Sequence, residues 1–197
     1  MLFSAMLRTT KPLGTDVTGI PSADDVRRDR ASPMDDNPAA DLDLMVFTDY
    51  RCGACRAAHP AMKRAVADDG KVRIIYKDWP IFGAVSERAA RVAIASDRQN
   101  LYPTVHDQLM TVRNHDDAAL RLAIEKAGGD WTRLQADLER DGERIAQLLA
   151  LASRQAFALG LQGTPGYLIG PMLVRGALNE REFGRVFREA RETMRKA

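Results

Sequence analysis

The chain has 197 residues, of which 45% are hydrophobic and 28% are charged, and its formal net charge is +2. This length allows one domain with an insertion or two small domains, and the composition is ordinary for a soluble globular protein. The nearly balanced charge indicates neither a nucleic-acid partner nor a membrane surface. No run of residues approaches the length of about 18 apolar residues that suggests a membrane-spanning helix.

The first 35 residues are mostly polar and contain several turn-forming residues. We predict a flexible arm over residues 1–35, with one short helix near residues 23–30. Residues 1–7 are apolar, but no basic region precedes them and no small-residue cleavage site follows them. They are therefore either the remnant of a targeting region or a simple disordered start.

Residues 36–80 are predicted to form the first part of the core. Apolar runs over residues 42–48 and 72–77 predict two buried strands. The segment 52–67 between them has apolar residues at helical spacing, contains the kinking residue Pro60 and is followed by Gly70. A strand, a helix and a strand with short connections form a right-handed βαβ unit.

Residues 81–160 are predicted to be helical, because they carry apolar stripes at helical spacing. The predicted segments are 86–96 with Ser86 as its N-cap, 101–112, 116–127 and 130–160. Gly128 and Gly129 separate the last two segments.

Residues 161–197 are predicted to complete the core. A turn at residues 163–166 precedes a strand over 167–170, a hairpin partner over 173–175 and an amphipathic helix over 179–196. The order βαβ, helical block, ββα predicts an α/β protein with a thioredoxin-like fold, split by an all-helical insertion between its two halves.

The two cysteines of the chain stand three positions apart in Cys52-Gly53-Ala54-Cys55, at the junction of a predicted strand and a predicted helix. A C-x-x-C motif in this place is typical of a thiol–disulfide redox site. The alternatives are an inert buried pair and half of a zinc site. Closing so short a loop stabilises a fold little, and zinc normally takes four ligands, so the pattern favours redox chemistry and no metal.

Cys52 is the candidate nucleophile, because the free N–H groups and the dipole at a helix N-terminus favour a thiolate. The neighbouring Arg51 and Arg56 would add to this effect, although solvent screens exposed charges. Cys55, one turn further along, is the candidate resolving thiol and is expected to be more buried and less acidic.

Taken together, these motifs resemble the DsbA-like thiol–disulfide oxidoreductases of the thioredoxin superfamily, from about residue 35 to the C-terminus. The matching stretches are residues 37–40, 47–55, 77–83 with Ser86 and residues 89–90, then 156–160, 163–170 and 176–178. The combination of C-x-x-C with a downstream Thr-Pro before a strand is the most specific part of the resemblance.

The resemblance implies that Thr164 and Pro165 form a cis-proline loop beside the cysteines. Thr164 would then pair through its backbone with an extended substrate and tune the cysteines, and Pro165 would present no competing N–H group. An ordinary trans turn is the alternative. In the most oxidising relatives Pro-His stands where this chain has Gly53 and Ala54, so we expect a less stabilised thiolate and an intermediate redox potential.

The chain departs from the family at the position six residues before the first cysteine, where relatives often carry a buried acid. Here that residue is Val46. Asp49 is expected to belong to the loop outside the buried site, so proton transfer to Cys55 would depend on water or another group. His59, His106 and His115 are expected to have packing or surface roles.

The resemblance implies a protein thiol–disulfide oxidoreductase that acts on unfolded or partly folded proteins. It would need no metal or organic cofactor, only a redox partner that resets the cysteines. The alternatives are a disulfide reductase or isomerase, a glutathione-dependent transferase, and a non-redox thioredoxin-like binding module or metal chaperone. We expect a periplasmic location, with the cytoplasm as alternative, and the sequence leaves the direction of electron flow and the choice between monomer and dimer open.

Overall fold

A five-stranded sheet lies at the centre of the protein in a computed structural model, which describes residues 12–196. The strands are Thr15–Asp16 (β1), Leu42–Thr48 (β2), Val72–Asp78 (β3), Gly166–Ile169 (β4) and Met172–Arg175 (β5). The helices are Pro21–Arg28 (α1), Gly53–Asp69 (α2), Ala84–Ser96 (α3), Tyr102–Thr111 (α4), Asp117–Lys126 (α5), Trp131–Arg140 (α6), Gly142–Ala158 (α7) and Glu180–Met194 (α8). The strand order is β1-β5-β4-β2-β3.

Strand β2 is buried on both faces, which explains why its sequence is apolar almost throughout. Leu44 and Val46 point into the core formed with α2, α8 and the helical insertion. Met45 and Phe47 point into a second core on the opposite face, beneath α1 and α7. The strand pairs in parallel with β3 and antiparallel with β4, so the predicted βαβ unit and the thioredoxin-like arrangement are confirmed.

The helical insertion consists of α3 to α7 and differs from the prediction at two places. The expected single helix over 130–160 is divided into α6 and α7 at Asp141, whose backbone leaves helical geometry with φ −102° and ψ 10°. The Asp141 carboxylate binds Arg98 with N–O distances of 2.6 and 3.0 Å, which anchors this break to the end of α3. The predicted N-cap Ser86 is wrong, because α3 begins at Ala84 and Ser86 is buried inside it.

The prediction of a flexible arm was wrong for residues 15–35. Strand β1 pairs with β5 at the sheet edge, and α1 buries Ala23 and Val26 against the second core, so the short helix expected here does form. Lys77 on β3 makes a buried ion pair with Asp29, just after α1. A few widely spaced apolar residues are enough to cover this face of the sheet, although they give little periodic signal. Residues 1–11, with the apolar segment 1–7 and any targeting region, lie outside the described residues.

The second half of the core follows the prediction closely. Strands β4 and β5 form an antiparallel hairpin around Gly170. The last helix begins after Asn179, which exchanges backbone and side-chain hydrogen bonds with Glu182 in a capping box. None of the described helices is long and apolar enough to cross a membrane.

Candidate functional site

Cys52 occupies the N-cap position of α2, immediately after the loop that follows β2. Its backbone is extended, with φ −70° and ψ 114°, and its N–H donates to the carbonyl oxygen of Asp49 at 3.1 Å. The Cys52 Sγ accepts a hydrogen bond from the backbone N–H of Cys55 at 3.3 Å. The sulfur therefore takes the place of a capping oxygen and satisfies a free N–H group of the first helical turn.

The loop before β4 supplies the opposite wall of the site. The Thr164–Pro165 peptide bond is cis, and the Cys52 thiol donates to the carbonyl oxygen of Thr164 at 3.3 Å. The N–H of Gly176 donates to the carbonyl oxygen of Pro165 at 2.9 Å and ties the loop to the end of β5. The Thr164 hydroxyl is buried and makes no hydrogen bond of ordinary geometry within residues 12–196.

The two thiols have strongly different acidities. Interaction with the Cys55 thiol lowers the pKa of Cys52 to about 6, although burial opposes this shift. The Thr164 side chain and the backbone N–H groups of Cys55 and Ala54 make smaller contributions that also lower the pKa. Interaction with the Cys52 sulfur and then burial raise the pKa of Cys55. A negative charge held on Cys52 thus keeps Cys55 protonated, which is the arrangement a nucleophilic and a resolving thiol require.

Gly53 and Ala54 are the two residues between the cysteines. Both residues are exposed, and a Cβ atom on Gly53 would meet no atom within 4 Å. Cys52 and Cys55 themselves are only 4% and 3% exposed. The Cys52 sulfur is therefore almost fully covered, while the two residues that follow it are open to solvent.

Asp49 is buried beneath the two cysteines. The expectation that this residue lies outside the buried site was therefore wrong. Its carboxylate accepts hydrogen bonds from the N–H groups of Arg51 at 2.7 Å, Ile81 at 2.7 Å and Phe82 at 3.0 Å, and from the Ser86 hydroxyl at 2.7 Å. It is 1% exposed. Asp49 thus joins the cysteine loop to the start of the helical insertion.

A second buried acid, Asp78 at the end of β3, was not singled out by the sequence analysis. It accepts a hydrogen bond from the Tyr102 hydroxyl at 2.7 Å, and burial raises the pKa of Asp78 to about 7. Tyr50 shares a 2.9 Å hydrogen bond with the Nδ1 of His106 in the same cluster. An apolar strand that ends in an acid is the signal in the sequence that points to such a residue.

The remaining histidines join the helices around the site. His59 on α2 shares a 3.0 Å hydrogen bond with Asp107 on α4. His115 Nε2 donates a hydrogen bond to the carbonyl oxygen of Leu109 at 3.1 Å, and burial lowers the pKa of His115. Residues 12–196 contain no group of three or more His, Cys, Asp or Glu side chains that could hold a metal ion.

Solved structures share this architecture over most of the chain. A thioredoxin-like oxidoreductase from Silicibacter pomeroyi DSS-3 has 30% sequence identity and a TM-score of 0.76, covering 86% of this chain and 95% of that one. A periplasmic thioredoxin-like protein from Salmonella enterica serovar Typhimurium has 29% identity and a TM-score of 0.72, covering 83% and 91%. The thiol-disulfide exchange protein alpha-DsbA2 from Wolbachia pipientis, at 23% identity with a TM-score of 0.78 over 87% and 95%, shares the fold.

A curated relative resembles most of this chain, but the match covers only a small part of the relative. The Na(+)/H(+) antiporter NhaA 3 of Salinispora tropica is 26% identical over 167 residues, which are 81% of this chain and 23% of the antiporter. The chain thus spans about a quarter of the length of this curated relative.

A family model described as the DSBA-like thioredoxin domain matches residues 43–185, which include α2 with its two cysteines, the whole helical insertion and the cis-proline loop. On this match, and on the fold and cysteine geometry described above, the chain belongs to the family of DSBA-like thioredoxin domains.

Proposed function

We propose that this protein is a thiol–disulfide oxidoreductase that exchanges disulfides with polypeptide substrates through Cys52 and Cys55. The observation that carries the proposal is the position of the Cys52 sulfur, capped by the N–H of Cys55 and 3.3 Å from the carbonyl oxygen of Thr164. A thiolate in this place is stabilised before any substrate arrives and faces a backbone edge that an extended chain can pair with.

The proposed reaction has two displacement steps. The Cys52 thiolate attacks one sulfur of a substrate disulfide, a mixed disulfide forms, and the other substrate sulfur leaves as a thiolate. Cys55 then loses its proton and attacks the Cys52 sulfur, which releases the substrate and leaves a Cys52–Cys55 disulfide. The same steps in reverse transfer the disulfide from the protein to a substrate dithiol.

The acidity of Cys52 supports an intermediate redox potential, as expected for a motif with Gly53 and Ala54 at its centre. Its pKa of about 6 lies between about 7 for thioredoxin and about 3.5 for DsbA. Equilibration in glutathione buffers gives the potential. A value near or above about −180 mV supports a disulfide donor, and a value near about −270 mV supports a reductase.

A similar protein supports a cellular compartment for this reaction. The Salmonella protein is described as periplasmic, and disulfides persist in that oxidising compartment. We therefore propose a periplasmic location, with unfolded or partly folded proteins as substrates and a separate redox partner that resets the cysteine pair.

Trapping the mixed disulfide tests the proposal. C55S keeps the nucleophile and removes the resolving thiol, so it should accumulate a covalent adduct with a peptide that contains one disulfide, seen as a mass increase that a reductant reverses. The matched variant C52S should form far less adduct, because the remaining Cys55 is buried and less acidic. Absence of the adduct, together with absence of a reversible Cys52–Cys55 disulfide in the native chain, would instead favour a non-redox binding module.

A further inference from the structure

Two arginines beside Cys52 have no acidic partner. Arg51 directly precedes the nucleophile and is exposed, and its Nη1 donates to the carbonyl oxygen of Phe82 at 3.3 Å. Arg56, one helical turn further along, is half-buried and donates through Nε to the carbonyl oxygen of Met110 at 3.4 Å. Among residues 12–196, neither guanidinium has a carboxylate within ion-pair distance.

Some other arginines on the surface of the protein have acidic partners. Arg64, further along α2, lies 2.5 Å from Glu180, and Arg121 on α5 lies 2.7 Å from Glu125. The acid closest to the cysteine loop, Asp49, is 1% exposed, and four N–H and O–H donors solvate its charge, so it offsets the arginines only in part. The surface around Cys52 is therefore positively charged where a substrate approaches.

The two guanidinium groups are not among the main causes of the low pKa of Cys52. The stabilisation of its thiolate is accounted for by the Cys55 thiol, Thr164 and the N–H groups of the first helical turn. Arg56 and the His115 ring hydrogen-bond the neighbouring carbonyl oxygens of Met110 and Leu109 at the end of α4. The charges of Arg56 and Arg51 both add to the effect of burial in lowering the pKa of His115, so the two guanidinium groups lie on the same side of the site. Two unpaired cations on one rim attract anions and raise the rate at which they arrive.

We propose that Arg51 and Arg56 select thiols and disulfides that carry negative charge next to the reacting sulfur, which among polypeptides means cysteines flanked by acidic residues. This inference rests on the proposed function of the cysteine pair, because it assigns a substrate class to that site. The two arginines would act while the substrate approaches Cys52. They would also act in the mixed disulfide, where the acidic groups next to the substrate sulfur lie beside them.

Two small disulfides of opposite charge test the selection directly: oxidised glutathione, which is net negative, and cystamine, which is positive. With the reduced protein, the Cys52 thiolate bonds to one sulfur of the probe and the other leaves as a thiolate that takes a proton from water. Cys55 then gives its proton to water and attacks the Cys52 sulfur. The bond between Cys52 and the probe breaks, and the second half of the probe leaves as a thiolate that takes up a proton. The protein loses two electrons and the probe gains them, so the total number of free thiols stays constant. Counts of the free thiols on the protein alone, after acid quenching and removal of the probe, give both rate constants.

The measured quantity is the ratio of the rate constant for oxidised glutathione to that for cystamine. We expect the double variant R51Q/R56Q to lower this ratio on the order of tenfold at low salt. Any change in the nucleophilicity of Cys52 affects both probes and largely cancels in the ratio. The control R64Q/R121Q changes the net charge equally and should leave the ratio within about twofold, because those charges are already paired.

Two further measurements separate an effect of the arginine charges on the rate ratio from an effect of altered structure. R51K/R56K keeps the charges and should retain most of the wild-type ratio. The ratio of the native protein should also fall between 0.1 and 1 M salt, since the Debye length shrinks from about 10 Å to about 3 Å. If R51Q/R56Q does not fold, the single variant R51Q, at an exposed position, gives the same comparison.

The outcomes distinguish this inference from the function on which it rests. A ratio that is unchanged in the glutamine variants and insensitive to salt, with both probes still reacting, overturns the charge selection and leaves the oxidoreductase intact. Failure of both probes to oxidise the native cysteine pair contradicts the proposed function itself.

Discussion

The Cys52 sulfur lies 3.3 Å from the carbonyl oxygen of Thr164, although 112 positions separate the two residues. The sheet brings them together, because Cys52 follows the end of β2 and Thr164 precedes the start of β4. These strands are antiparallel neighbours, with Phe47 opposite Gly166. The two cysteines and the cis-proline loop are therefore held next to each other by one strand pairing.

Replacement of Thr164 by valine should make Cys52 less acidic. The Thr164 hydroxyl is buried without an ordinary hydrogen bond and helps to lower the pKa of Cys52. We expect T164V to raise this pKa by about one unit or less, since other donors remain. Thiolate absorbance measured across pH gives the value, and T132V, at an exposed position on α6, is the matched control. An unchanged pKa would mean that the hydroxyl does not act on the sulfur.

The pH dependence of the reduced protein should report the Cys52 thiolate. Because the pKa of Cys52 falls from 9.0 to about 6 on folding, alkylation of Cys52 should reach half of its maximal rate near pH 6. The ionised Cys52 thiolate therefore adds at most about 4 kcal/mol to the free energy of unfolding. This contribution is fully present above about pH 9 and is lost as the pH falls towards 6.

Comparison with the oxidised protein isolates this effect. The disulfide form has no thiolate, while the other titrating groups are common to both forms. Urea unfolding across pH should therefore show that the reduced form loses stability relative to the oxidised form as the pH decreases from 9 to 6. A constant difference would indicate that the Cys52 thiol ionises as it does in the unfolded chain.

Local patterns in the sequence predicted the elements that carry the chemistry. The apolar run in the sequence predicted the observed bounds of β2, Leu42–Thr48. The helical spacing after Cys52 predicted α2 to within two residues of its observed ends. Burial on both faces of β2 made its pattern unusually clear. The C-x-x-C motif and the Thr-Pro pair each occupy a few consecutive residues, so their significance could be judged without knowing the fold.

Features that depend on distant contacts could not be predicted in this way. Asp49 and Ser86 are 37 positions apart, and no local pattern indicates that a carboxylate in a loop will be buried. The break at Asp141 was missed because the apolar stripe continues through it. The N-terminal segment buries only a few apolar residues, among them Ala23 and Val26, so its sequence resembles that of a flexible arm.

Removal of the Asp49 carboxylate should destabilise the protein strongly. In D49A the N–H groups of Ile81 and Phe82 and the Ser86 hydroxyl lose their acceptor, and each unsatisfied buried donor costs about 1–3 kcal/mol. We expect a loss of at least about 3 kcal/mol in urea unfolding, and a loss of about 1 kcal/mol for S86A. The control D36A, at an exposed position, should change little, and an equally small effect of D49A would show that water replaces the carboxylate.

The ion pair between Lys77 and Asp29 should attach the N-terminal segment to the sheet. The Lys77 side chain is 0% exposed and the Asp29 side chain is 9% exposed. D29N leaves a buried charge on Lys77 without its partner, which typically costs about 3–5 kcal/mol. D25N removes the exposed pair with Arg28 and should cost at most about 1 kcal/mol. In urea unfolding, K77M combined with D29N should recover much of the loss, and no recovery would assign the effect to the hydrogen bonds of Asp29 instead.

Asp78 should make the stability of the protein depend on pH with a sign opposite to that of most carboxylates. Its pKa is about 7 in the folded protein, against 3.8 ordinarily. Between these values the folded state binds a proton that the unfolded state has released, so the free energy of unfolding decreases as the pH rises. The loss attributable to Asp78 is at most about 4 kcal/mol.

The variant D78N separates this contribution from that of the buried His106. Burial lowers the pKa of His106, so this residue adds stability as the pH rises through its ordinary value of 6.5, in both proteins alike. The stability of the native chain relative to D78N should therefore fall steadily between pH 4 and pH 7 in urea unfolding. The amide of D78N can still accept the hydrogen bond from the Tyr102 hydroxyl, which limits structural change. A relative stability that rises over this interval would mean that Asp78 is ionised in the fold and stabilised by its hydrogen bonds.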